Sequence, residues 1–205
     1  MQKHLKAVAL IMTILIASLY GARPFGTDDA GTVPSGSYEL EIGYDIWEET
    51  GMFGLGFKHG LTEKMDIGIG FGFNIVSEPK NSFVPAELAF KYSLVPDLFA
   101  ASFVAEIGGS AYALNGILTR GFGPIELDAN LGYTTGDSSI TYAGAFIYSI
   151  EKFAFGGEVL GDKKAQNWLL GGRYTIKDGL MVDAGFASDF KFEAKTATFG
   201  VHYEF

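Results

Sequence analysis

No cysteine occurs among the 205 residues, which excludes disulfides, thiolate metal sites and cysteine nucleophiles together. Histidine is nearly absent as well. His4, His59 and His202 are the whole complement, too few for a histidine-rich metal centre, and no metal or cofactor is expected. Positive charge is the minority sign, with 15 Lys and Arg against 24 Asp and Glu, a net charge of −9. A nucleic-acid binder needs a basic stripe to meet phosphate, so that partner is excluded. Beyond the first 22 residues no apolar run reaches the roughly 18 residues that would suggest a membrane-spanning helix. What is abundant is glycine, 28 residues, and aromatic side chains, 15% of the chain. With charged residues at only 19%, that mixture favours short strands and turns over helices.

The first segment carries Lys3 and Lys6, then the apolar stretch Ala7–Tyr20, then Gly21-Ala22. A basic start, a short greasy centre and a small-residue exit make a secretory signal peptide. The stretch is too short for a spanning helix, which needs about 20 apolar residues. The expected division is a signal peptide at 1–22, an N-terminal segment at 23–36 on the periplasmic side, and a folded body at 37–205.

That body alternates with period two. In MDIGIGFGFNIV (Met65–Val76), Ile67, Ile69, Phe71, Phe73 and Ile75 fall on one face, while Asp66, Gly68, Gly70, Gly72 and Asn74 fall on the other. Only an extended strand sorts residues this way. Twelve such runs lie near 37–48, 52–60, 65–76, 83–95, 99–108, 111–120, 124–134, 140–150, 153–161, 166–176, 180–188 and 195–205. Their lengths suit tilted strands that cross a bilayer in about 9–11 residues. Connections alternate between tight turns (LVPD, RGFG, KDG) and longer polar loops (TGDSS, GDKKA, SDFKFEA), as between the two sides of an outer-membrane barrel. The expectation is an all-β protein: a transmembrane, antiparallel up-and-down β-barrel of about twelve strands in the outer membrane of a Gram-negative bacterium. A soluble β-sandwich also alternates. It gives no reason, however, for a last strand that runs to the final residue, Phe205, with aromatics at Phe199 and Tyr203. That ending resembles the terminal signal read by the barrel assembly machinery.

In hydrocarbon every backbone polar group must be paired internally, so a sheet crosses only when closed. The apolar face then meets lipid. Aromatics near the strand ends read as interfacial girdles: Tyr38, Tyr92, Tyr148, Phe153, Tyr174 and Tyr203 on the turn side, Tyr44, Tyr133, Tyr142 and Trp168 on the loop side. The opposite face lines a lumen. The candidate lining is Glu41, Asp45, Asp66, Glu87, Lys91, Glu106, Glu126, Asp128, Glu158, Arg173 and Asp183, with Glu39, Glu204 and Lys58 on the same face. Acids outnumber bases, so either water fills much of the bore, or several acids are protonated or paired with the few bases, Lys91 and Arg173 foremost. Many glycines share this face (Gly43, Gly156, Gly171 and Gly200 among them), and they either bend the sheet or leave volume open. Twelve strands with such an interior imply a narrow bore or small cavity. The polar segment 23–36 has two arrangements open to it: a loose tail, or a partial plug with Asp28 and Asp29 meeting Lys or Arg.

Specific words add to the pattern. Arg23-Pro24-Phe25, Thr27-Asp28-Asp29-Ala30, Gly36, YELEIGY (Tyr38–Tyr44) and the turn HGLTEKMDIG (His59–Gly68) resemble a bacterial outer-membrane family labelled for the meta-pathway of phenol degradation and often called simply a transporter. The resemblance implies a channel or transporter for small solutes, with hydrophobic or aromatic compounds among them, and brings no catalytic residues. Two alternatives stand beside it. One is a structural barrel with a plugged lumen and no transport. The weaker is a barrel hydrolase, which needs a nucleophile or water activated by a positioned histidine. His59 falls at a periplasmic turn and His202 near the periplasmic end, away from the outer surface where such sites lie, so no enzyme is expected.

Overall fold

Among the described residues of the computed structural model, 23–47, 50–76 and 82–205, twelve strands follow one another. They are β1 (Tyr38–Trp47), β2 (Thr50–Thr62), β3 (Met65–Val76), β4 (Ser82–Val95), β5 (Phe99–Glu106), β6 (Tyr112–Phe122), β7 (Ile125–Thr134), β8 (Ser139–Ile150), β9 (Phe153–Asp162), β10 (Gln166–Lys177), β11 (Leu180–Asp189) and β12 (Lys195–Glu204). Each matches one alternating run of the sequence, with ends shifted by a few residues. The signal peptide expected at 1–22 lies outside the described residues. Each strand pairs antiparallel with its chain neighbours, and β1 pairs with β12, so the sheet is a closed barrel. Closure removes both edges, which is the condition for a sheet in lipid.

Tight connections let neighbours pair in sequence order. On the side of the termini, Gly123 (φ 64°) and Gly179 (φ 76°) take left-handed turn positions, and Asp97 and Glu151 do the same at two further turns. The seam is locked beyond the last ladder pair: Tyr38 N–H donates to Phe205 O at 2.8 Å, and Phe205 N–H donates back to Tyr38 O at 2.9 Å. The two rings stack, with centroids 5.6 Å apart. Phe205 thus completes the closing strand pair.

Burial is inverted relative to a soluble protein. Leu131 is 65% exposed, Ile140 64% and Leu170 61%, while Asp66 and Glu158 are each 4% exposed. Most large apolar side chains face outward, and most charged side chains of the strands face inward. A sandwich core would show the reverse. The period-two register forces this sorting, because a slip of one residue would exchange the two faces on every strand. Exposed Tyr38, Tyr92, Tyr148 and Tyr174 stand toward the turn side, and Tyr133 and Tyr142 toward the other. Among the described residues no helix is long and apolar enough to cross a membrane; the strands make the crossing. On the outer wall Leu127, Phe146, Val159 and Leu170 surround a shallow apolar depression of about 720 Å³ over Gly144 and Gly157.

Candidate functional site: the lumen and the segment within it

The stretch from Arg23 to Val33 lies inside the barrel. Arg23, Phe25, Thr27, Asp28, Ala30 and Val33 are all buried. An irregular chain in a closed interior needs partners for its backbone N–H groups, and the wall supplies them with side chains. Gly26 N–H and Thr27 N–H donate to the Glu158 carboxylate at 2.9 and 2.8 Å, and the Thr27 hydroxyl adds a third bond at 2.7 Å. Asp28 N–H donates to Asn130 Oδ1, and Asn130 Nδ2 donates back to Asp28 O, both at 2.8 Å. Ala30 N–H donates to Thr119 Oγ1 at 2.9 Å, and that hydroxyl donates onward to Asp128 at 2.6 Å. Val33 N–H donates to Asp66 at 3.0 Å. Gly36 N–H then joins β2 through Gly60 O at 2.9 Å. Inward polar residues on β3, β6, β7 and β9 therefore replace the sheet partner that the segment lacks.

Charge reinforces this docking. The Arg23 guanidinium sits between Asp45 on β1 and Asp183 on β11, at 3.7 and 3.6 Å. It also donates to Thr198 Oγ1 at 2.6 Å and Phe199 O at 3.0 Å. Lys91 on β4 pairs with Asp28 at 2.9 Å and donates to Asp29 O at 3.0 Å. Arg173 on β10 donates to Arg23 O at 3.0 Å. Apolar contacts complete the fit. Phe25, only 1% exposed, packs with Ile147 and Leu169, and Ala30 packs with Ala100 and Ile117.

The inward glycines have a shape to match. A Cβ on Gly43 would overlap the Arg23 guanidinium, and one on Gly200 would meet Arg23 Nε and the Asp183 carboxylate. A Cβ on Gly171 would stand 2.6 Å from the Pro24 ring, and one on Gly156 would meet the Phe146 carbonyl first and the tip of Phe25 at 2.9 Å. At Gly43 and Gly171 the space left open is taken by Arg23 and Pro24. Between Asp28, Lys58, Asp66 and Lys91 a cavity of about 20 Å³ remains, room for roughly one water.

Of the other candidate lining residues, Glu41 pairs with His202 across the β1–β12 seam at 3.2 Å. Glu87 and Glu106 stand opposite each other on β4 and β5. Glu126 is half-buried on the same face as Asp128. Sequence reading placed the acids on the inner face but did not identify Arg23 as a cation among them. Arg23 lies outside every strand, so period-two sorting assigns it no face. Asn130, Thr119 and Thr198 are likewise silent in the sequence, because neutral polar residues in an alternating run carry no signal of what they bond.

A closed twelve-stranded barrel with an apolar exterior and a charged, occupied interior defines an outer-membrane β-barrel. No family model matches the chain, and no curated protein matches it by sequence. Solved structures do share its fold. The KdgM porin superposes with a TM-score of 0.65 at 13% identity, over 82% of this chain and 99% of that one. The COG4313 outer membrane channel from Pseudomonas putida F1 gives 0.61 at 10%, over 86% and 98%. The outer membrane phospholipase A from Escherichia coli gives 0.51 at 12%, over 93% and 96%.

Proposed function

We propose that the barrel is an outer-membrane channel for small solutes, held shut in the state described by its own N-terminal segment. One observation carries the reading: Arg23, Phe25 and Asp28 seat in matching features of the inner wall. With the expected leader removed, the segment is joined to the barrel only at its β1 end, and apart from the Ser35–Gly60 bridge beside β1 it has no sheet pairing to break. Its other contacts are side-chain bonds, ion pairs and the packing of Phe25 and Ala30.

The proposed solute class is apolar or aromatic. The family resemblance of the N-terminal words supports this, and so does the inner surface under the segment. Ile147, Leu169, Ala100 and Ile117 lie there beside Glu158, Asp128 and Asp66. That mixture suits a ring bearing a hydroxyl, and its carboxylates oppose polyanions. One KdgM porin structure holds oligogalacturonate, an acidic sugar that this lining disfavours. The reading assigns no catalysis, and it assigns Phe205 to recognition by the assembly machinery.

A structural barrel without transport is the second reading, favoured by the small remaining cavity. Proteoliposome uptake of phenol-sized aromatics, run beside planar-bilayer recording, separates the two. Flux that rises when the segment is loosened by Arg23→Ala supports the channel. A barrel that stays sealed in both forms supports the structural reading.

A further inference from the structure

The Phe25 ring occupies a seat built by three strands. Gly156 on β9 lies in register with Ile147 on β8 and Gly171 on β10, and the tip of the ring lies over Gly156. Ile147 and Leu169 pack on the ring, with Ala154 and Ala187 against the same group. Glu158 stands two residues on from Gly156 on the same face, about 7 Å along the strand, and cross-strand from Leu169. Its carboxylate takes Gly26 N–H on Oε1, and the Thr27 N–H and hydroxyl on Oε2. Every one of these donors belongs to the segment and none is charged. Among the described residues Glu158 enters no ion pair. When the segment leaves, a carboxylate only 4% exposed in the docked state loses all three partners beside an apolar shelf, a costly arrangement unless something replaces them.

We propose that the Phe25 seat is a solute subsite for an aromatic ring carrying an ammonium on a short alkyl chain, and that Phe25 with the Gly26 N–H is its built-in stand-in. Resting on the reading of the barrel as a channel shut by its segment, this makes the solute itself the opener, since ring and segment compete for one place. The covalent spacing fits. The Cβ, Cα and carbonyl carbon of Phe25 separate its ring from the Gly26 nitrogen that meets Glu158, and 3-phenylpropylamine spaces ring and nitrogen by the same number of carbons. The charge fits as well. An ammonium brings three N–H donors and the cation that Glu158 lacks, and charge-assisted bonds are roughly twice as strong as neutral ones. Asp128 adds to the negative field, because Ala145 pairs in register with both Asp128 and Glu158. Arg173 aligns with Ala154, on the far side of Gly156 from Glu158. The seat therefore ranks an arylalkylamine above a neutral aryl alcohol and rejects an aryl carboxylate.

The test is calorimetric titration of 3-phenylpropylamine into the folded barrel in detergent, with 3-phenylpropanol and 3-phenylpropionate as comparisons and bilayer recording alongside. One amine per barrel is expected. Phe25→Ala should bind it about tenfold or more tightly than the parent, because the chain's own ring no longer competes. In that background Glu158→Gln should weaken binding by about tenfold or more, although it also loosens the segment. The alcohol should bind more weakly than the amine, and the carboxylate should not bind. Heat-modifiable gel migration verifies folding of each variant. If Phe25→Ala does not assemble, the parent carries the test: the amine should saturably speed proteolysis within residues 26–34 and raise the frequency of open events, and the carboxylate should do neither. A Phe25→Ala affinity no higher than the parent's, or equal binding of amine and carboxylate, overturns the seat. The two readings fail separately. Flux through Arg23→Ala without amine binding to Phe25→Ala removes the seat and keeps the channel. Amine binding that depends on Glu158, with every form sealed, removes the channel and keeps the seat as a binding site.

Discussion

Removing the Arg23 side chain is the most direct perturbation of the docked segment. In the docked state its guanidinium lies between Asp45 and Asp183, and these side chains are 5%, 9% and 1% exposed. Arg23→Ala leaves two dry carboxylates without that cation. Breaking a buried ion pair from one side costs about 3–5 kcal/mol. Arg173 stands directly across from Asp183 and compensates in part, which favours the lower end, about 3 kcal/mol. When the segment is undocked, water reaches both carboxylates, so the penalty falls on the docked state alone. At roughly 1.4 kcal/mol per tenfold change, the ratio of docked to free segment should drop by about two powers of ten. Two assays read this. Limited proteolysis should cut within residues 26–34 far faster in the variant, and bilayer recordings should show more frequent open events. Adding Asp45→Asn and Asp183→Asn should restore much of the protection, because the charges left stranded are then gone. If Arg23→Ala is as protected and as quiet as the parent, the ionic seat does not hold the segment.

Three further outcomes follow from the same geometry. Phe25→Ala empties the space between Ile147 and Leu169, at about 3–5 kcal/mol of docking free energy; proteolysis of the segment should accelerate while heat-modifiable migration of the barrel is unchanged. Gly43→Ala should weaken docking by pushing the Arg23 guanidinium aside, and should have no effect in an Arg23→Ala background, because Arg23 supplies the nearest atoms its Cβ would meet; a double-mutant cycle of protection factors checks this. Leu131→Arg, at a position 65% exposed, should destabilise the barrel by up to about 2–4 kcal/mol in lipid vesicles. A neutral result in denaturant unfolding would place that face in water instead.

The sequence alone determined the wall. Strict alternation in runs such as Met65–Val76 carries strand identity, strand number and face, because a side-chain period of two follows from backbone geometry whatever the strand packs against. Which face is greasy also identifies lipid as the surrounding solvent. It could not say what fills the wall. Arg23, Asp45 and Asp183 are far apart in the chain, and their meeting depends on how closure sets β1, β11 and β12 around a common space. Gly43, Gly156, Gly171 and Gly200 signalled open volume, yet nothing local distinguishes space left for solute from space left for Pro24 and Phe25. The segment 23–36 has no periodicity because its partners are wall side chains rather than a neighbouring strand. The same holds at the seam: Glu39, Glu41 and His202 become one cluster only because the first strand pairs with the last.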